Sequence, residues 1–168
     1  MDNLEIIFKD FPKIYLDEFV SCELLTDKNV IKDSHFYDNF REKDLKIEEI
    51  SALSEILSLT GCGSITFSIF EFGITLKNTV VTFSFNEKIG DITINFEINS
   101  IPLEDRTVGL KRFKNIIEKV LEIKKKYSLP IVFVGLEPAD NDDTCLLRLN
   151  SDKIDLRRAI EKIEKALF

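Results

Sequence analysis

Between Ile65 and Ile98 the chain passes three times through two-residue alternation: Ile65, Phe67 and Ile69, then Val81, Phe83 and Phe85, then Ile92, Ile94, Phe96 and Ile98. In an extended chain successive side chains point to opposite faces, so each segment offers one apolar side to a core. Asn86 to Asp91, with Gly90, is only long enough for a hairpin between the second and third segments. The three segments therefore predict an antiparallel meander. Its other face carries Thr82, Ser84 and Asn86, then Thr93, Asn95, Glu97 and Asn99. Such a face is wet or covered by a polar partner, not by a second layer of helices.

Helical spacing flanks the meander. Asp44 reads as an N-cap, with Ile47, Ile50, Leu53 and Leu57 on one stripe and Gly61 as the stop, a helix of about three to four turns. After Pro102 a longer helix is expected from Asp105 to Tyr127, with Phe113, Ile116, Ile117, Val120 and Leu121 as its apolar stripe and Leu129-Pro130 as its end. Ile131 to Leu136 is apolar on both faces, which predicts a strand nearer the sheet centre. Pro138 to Asp143 reads as a turn and Thr144 to Leu149 as the returning strand. Ser151 or Asp152 then caps a last helix bearing Leu156, Ala159, Ile160, Ile163 and Leu167. Residues 1–44 are less regular. Leu4, Ile6 and Phe8 alternate like a strand, Ile14 to Leu25 fits helix and strand equally, and Asp33 to Lys43 is polar with His35, Phe36, Tyr37 and Phe40 interspersed. The expected fold is one α+β domain over residues 1–168: a mainly antiparallel sheet, made of the meander and a second hairpin, with helices packed on one face. The strand order stays open, because the crossover into Ile131 permits parallel or antiparallel pairing.

A chain of 168 residues with 44% hydrophobic and 32% charged side chains has enough apolar surface for a core, which excludes disorder. Thirty acidic against 23 basic residues give a net charge of −7 and a pI near 4.9, which argues against a nucleic-acid binder or a membrane-surface protein and favours a basic partner. The charge is uneven. Arg106 to Lys126 holds eight basic residues against Glu118 and Glu122, a local +6, so the remainder of a −7 chain stands at −13. Without stacking aromatics, the basic helix reads as a solvated face paired with neighbouring acids. The first 13 residues carry acids where a signal peptide needs a basic region, and the apolar runs are far below the ~20 residues that span a bilayer, so a cytoplasmic, soluble chain is expected. Cys22, Cys62 and Cys145, widely spaced and odd in number, fit a reducing compartment and read as small packing residues.

Recognisable catalytic apparatus is missing from the sequence. His35 is the one histidine and has no H-x-x-x-H partner; no G-x-S-x-G surrounds a serine, and no cysteine has a basic setting. Gly61-Cys62-Gly63 lacks the third glycine and the lysine of a nucleotide loop and reads as a helix stop leading into a strand. Glu48-Glu49 and Glu104-Asp105 are ordinary solvated acids, the latter placed where a helix N-terminus favours them. No catalytic residue, metal ligand or cofactor is therefore assigned. The most distinctive feature is the run Gly135 to Thr144, in which Glu137, Asp140, Asp142 and Asp143 put four carboxylates in seven positions with no base among them. Asn and Asp make turns by bonding their own backbone, which by itself explains such a loop. The calcium pattern fails, since Thr144 and Cys145 follow where a glycine and further ligands belong. What remains is an acidic contact patch for a basic protein.

Gly135-Leu136-Glu137-Pro138-Ala139-Asp140 running into an acidic turn and Thr144, with Phe72-Gly73-Ile74 and Asp91-Ile92-Thr93-Ile94 before it, resembles small immunity proteins of bacterial polymorphic-toxin systems over about residues 65–150. The resemblance implies a non-enzymatic cytoplasmic protein that binds and neutralises a cognate secreted toxin. On that reading the partner-binding residues are Glu137, Asp140, Asp142 and Asp143, with Thr93, Asn95 and Glu97 of the polar sheet face. The alternatives are a small enzyme or ligand-binding domain with scattered carboxylates, recognisable by a deep pocket of convergent acids, and a homo-oligomeric subunit, recognisable by an apolar patch on the N-terminal segment.

Overall fold

A computed structural model describes residues 3–150 and 155–167. Strand β1 (Asn3–Pro12) leads through a 3-10 turn at Lys13–Tyr15 into α1 (Leu16–Phe19), which widens into a π turn at Val20–Leu24. Then come β2 (Val30–Asp38), β3 (Lys43–Leu45), a 3-10 turn at Ile47–Glu49, and α2 (Leu53–Ile56). The meander follows as β4 (Gly61–Glu71), β5 (Thr75–Phe85) and β6 (Ile89–Glu97). Helix α3 (Arg106–Lys126), the hairpin β7 (Ile131–Leu136) and β8 (Cys145–Leu149), and helix α4 (Leu156–Leu167) complete the chain.

These strands form one sheet in the order β3-β2-β4-β5-β6-β1-β7-β8, every neighbouring pair antiparallel. The fold is thus α+β, with the expected meander and second hairpin. The N-terminal strand lies inside the sheet: β1 pairs with both β6 and β7. Those two strands therefore run parallel to each other with β1 between them, and α3 carries the chain across.

One face of the sheet is sealed by the helices. Leu4, Ile6 and Phe8 of β1, Ile65 and Phe67 of β4, Val81 and Phe83 of β5, and Ile92 and Ile94 of β6 are fully buried in one cluster with Phe113, Ile116, Ile117 and Val120 of α3 and Ile163 of α4. Leu16 and Phe19 of α1 and Leu53 of α2 join the same cluster. Each such side chain contributes about 1.5–3 kcal/mol on burial, so the alternating pattern decides which face turns inward. Asp105 caps α3 by accepting the Val108 N–H at 3.0 Å. At Gly73, φ is +74° and an added Cβ would meet the Asn115 carbonyl at 2.3 Å, so the β4–β5 turn tucks against α3 with no room for a side chain.

Five expectations are corrected. The stripe Ile47, Ile50, Leu53 and Leu57 is not one helix: Asp44 lies in β3, Ile50 and Ala52 are extended, and only Leu53–Ile56 is α-helical. Ile47, Leu53 and Leu57 are still buried, so helical spacing arose from a strand, two turns and a short helix draped over the same core. Gly61 does not stop a helix; it begins β4, and the left-handed residue is Leu59 at φ 61°. Ile69 is exposed while Phe70 is buried, because the ladder with β2 slips beside it and Asn78, in the facing strand, takes φ 50°. Ile98 lies beyond β6 in a 3-10 turn. Cys22 and Cys62 are exposed, so only Cys145 packs as expected. The proposed caps Ser151 and Asp152 lie outside the described residues, within which Asp155 accepts the Arg157 N–H at 3.0 Å.

Candidate functional site

The sheet face turned away from the helices is built by the alternate residues of the core strands. Register sets its rows: Glu97 of β6 lies opposite Asn3 of β1, Asn95 opposite Glu5, and Thr93 opposite Ile7. On the other side of β1, Glu5 lies opposite Gly135 and Ile7 opposite Phe133. Thr93, Asn95 and Glu97 are half-buried, and Thr82 beside Thr93 continues the row into β5.

Residues 137–144 are not a free-standing turn, although most of their side chains are exposed. They fold back onto this face, where Ala139 is fully buried and forms a second small apolar cluster with Ile7 and Phe133. That contact explains why β7 is apolar on both sides although it lies next to the edge of the sheet, not at its centre. The approach requires Gly135, where an added Cβ would lie 2.4 Å from the Thr144 carbonyl oxygen. The loop is pinned at both ends. Glu137 N–H donates to Asn3 O at 3.1 Å and the Asn3 amide donates to Glu137 Oε2 at 3.0 Å. Asn141 organises the turn, its Oδ1 taking the Asp143 N–H at 3.1 Å and its carbonyl the Cys145 N–H at 2.9 Å. The Thr144 hydroxyl donates to Pro138 O.

Glu137, Asp140, Asp142 and Asp143 are consequently all exposed on an ordered ledge. Beside them the sheet places Asn95 and Glu97, one strand away across β1, and Thr93 one row further. All seven sequence-predicted residues thus lie on one face. The sequence reading missed the groups that join the two halves. Glu5, 7% exposed, accepts the Ala139 N–H at 2.6 Å. Burial raises its carboxyl above the ordinary range, the hydrogen bonds from Ala139 and Asn95 pull the other way, and the charges of Glu137 and Asp140 raise it further. Lys9 binds Asp91 at 2.7 Å, and that bond first, then the charges of Asp91 and Asp140, lift its ammonium above the usual value. Arg148 of β8 stacks over Phe133, 5.1 Å from the ring centroid, and lies 3.6 Å from Asp142. The one signal for Glu5 in the sequence is an acid between Leu4 and Ile6 in an otherwise apolar strand.

Other charged groups serve the fold. Glu23, with its side chain 7% exposed, binds Lys119 at 2.8 Å and Lys126 at 3.0 Å; Arg106 pairs with Glu164 and Lys114 with Glu118 at 3.7 Å. Arg106, Lys114, Lys119 and Lys126 of the basic helix are therefore paired with acids, and Arg112 donates to Ser100 O at 2.9 Å. A cavity of about 310 Å³ gathers Asp38, Glu49 and Glu55, but Asp38 accepts the N–H groups of Phe40 and Arg41, and Glu49 accepts the Lys46 N–H. His35 is exposed, 3.5 Å from Asp44. Burial pushes the Cys145 thiol up, the wrong direction for a nucleophile. Among the described residues no group of three or more His, Cys, Asp or Glu could hold a metal ion.

The family model of the PABL017 Cdi1I immunity protein matches residues 2–152. The chain belongs to that immunity protein family. Its members' role is to bind and neutralise a toxin, and the partner of this chain is accordingly a protein. One chain of the 1.75 Å crystal structure of the toxic C-terminal tip of CdiA from Pseudomonas aeruginosa in complex with immune protein shares the fold, with a TM-score of 0.66 and 18% identity over 89% of this chain and 95% of that one. No curated protein matches the sequence. Among the described residues no helix is long and apolar enough to cross a membrane.

Proposed function

We propose that this immunity protein neutralises its toxin by occlusion, without catalysis and in the cytoplasm, and that it docks through the open sheet face with the 137–144 ledge leading. The toxin surface it meets is basic. The observation that carries this reading is the pinned loop: Ala139 and the Glu5–Ala139 bond fix four exposed carboxylates beside Asn95 and Glu97. An acidic ledge on an ordered backbone raises the encounter rate with a basic partner through its field and disfavours wrong partners, and the loop backbone needs no reorganisation on contact. The similar solved structure, a toxin tip of CdiA in complex with immune protein, supports a partner of this class.

The test uses the toxin domain that co-purifies with the tagged protein from its native strain, immobilised against wild type and against the variant D140K/D142K/D143K. Slower association, with a flatter dependence on ionic strength, is expected. An association rate equal to wild type removes the ledge from the interface.

A further inference from the structure

We infer that the open face holds a second anchor for the toxin at the corner far from the acidic ledge, a cleft between Tyr37 and Ser84 that receives an arginine side chain. The inference rests on the open face being the docking surface. A cavity of about 420 Å³ is lined by Tyr37, Asn39, Thr60, Cys62, Ser84 and Phe85. It belongs to the same face as the ledge. Cys62 lies opposite Ser84, Ser84 lies opposite Asp91, and Asp91 binds Lys9, whose ammonium also feels Asp140. Cleft and ledge are thus the two ends of one continuous surface.

The cleft is preformed. Tyr37 sits within the β2–β3 ladder opposite Asp44. The turn after it is held by Asp38, 3% exposed, which accepts the N–H groups of Phe40 at 2.9 Å and Arg41 at 3.1 Å. The Asn39 amide donates to Thr60 O at 3.3 Å and so ties the two walls together. The Tyr37 ring, 43% exposed, has no hydrogen bond or ring contact among the described residues, so its face is free. The lining also offers acceptors: the Asn39 Oδ1, the Ser84 hydroxyl and the Tyr37 hydroxyl. No lysine or arginine lines it. An open aromatic face in a cleft lined with hydroxyl and amide acceptors, with Asp44 and Asp91 across the ladders and no lysine or arginine in its lining, matches a guanidinium, which is planar, stacks on aromatic rings and carries five donors. Aromatic anchors seated in clefts hold partners by slowing dissociation, whereas exposed charges act on association.

The experiment measures both rate constants with the same co-purified toxin domain for wild type, Y37A, Y37F and S84R, and follows alkylation of Cys62 and Cys22 in the free and bound protein. Y37A is expected to dissociate about tenfold faster or more at an unchanged association rate, and Y37F to stay within about threefold of wild type. S84R, which fills the cleft with a like cation, is expected to bind more weakly while keeping the exposed position folded. Toxin is expected to shield Cys62, while Cys22, on the helical side, keeps its reactivity. Unchanged dissociation for both Y37A and S84R, or equal labelling of Cys62 free and bound, overturns the cleft. If the cleft tests fail while D140K/D142K/D143K slows association, the ledge reading stands alone. If the charge reversal is silent while Y37A dissociates faster, the ledge falls and the cleft stands.

Discussion

The Glu5 carboxylate accepts the backbone N–H of Ala139 at 2.6 Å in a buried bond that spans 134 positions of sequence. It joins the N-terminal strand to the loop that carries the acidic ledge, so the shape of the proposed docking surface depends on a residue that is itself buried. Replacing Glu5 by Ala leaves a buried N–H without its acceptor and should cost about 1–3 kcal/mol in denaturant unfolding. Gln keeps an acceptor in place and should cost less. The pH dependence separates the two roles. Because burial and the neighbouring acids raise the folded-state carboxyl above its ordinary 4.5, the folded protein holds that proton more tightly than the unfolded chain. Its contribution to stability is full below 4.5 and is lost as pH rises through the folded-state value; E5Q should lack that decline.

Gly135 makes the second demand on the loop. A methyl group there would lie 2.4 Å from the Thr144 carbonyl, which accepts the Leu136 N–H at 3.0 Å. G135A should therefore force the β7–loop junction apart, lowering stability by about 1–3 kcal/mol. Toxin association should slow with it, although no charge has changed; an association rate equal to wild type would mean the ledge need not be ordered.

On the helical side, Glu23 opposes Lys119 and Lys126 of α3. Burial works against its carboxylate, but the hydrogen bonds from the two lysines outweigh it and hold the group below the ordinary range. A depressed folded value stabilises the protein above 4.5 and loses that effect as pH falls through it. E23Q should be about 1–3 kcal/mol less stable at neutral pH, with the gap to wild type closing in acid; thermal melts at both pH values check the sign.

The legible parts of this fold are those in which local pattern and global burial agree. Val81, Phe83 and Phe85, and Ile92, Ile94 and Phe96, alternate because one face meets the core; Phe113 to Val120 repeat as a helix because α3 covers that face. Where several short elements bury the same side, periodicity misleads, as at Ile47 to Leu57. Partners distant in sequence leave no local trace. Nothing in Leu4 to Phe8 states that β1 lies between β6 and β7, and nothing in Gly135 to Thr144 beyond a lone Ala139 states that the loop folds over Ile7 and Phe133. For the candidate site the chemistry was therefore visible as a run of carboxylates, but its location beside Thr93, Asn95 and Glu97 was not. That location depends on Glu5, whose role appears only once both neighbouring strands are placed.

Arg148 supplies a control of opposite sign. Among the described residues it is the cation paired with the ledge, 3.6 Å from Asp142 and stacked on Phe133, and it offsets part of the negative field a basic partner would meet. Arg148→Met keeps apolar contact with the ring and removes the charge. Losing an exposed cation–π contact costs about 0.5–1 kcal/mol of stability. The more negative face should nonetheless attract a basic toxin faster, by about two- to fivefold at low salt, with the advantage shrinking as ionic strength rises. Charge reversal at the three aspartates and charge removal at Arg148 must then move the association rate in opposite directions. A rate that falls in both variants would show that Arg148 itself touches the toxin, pairing with a local acid within an otherwise basic partner surface.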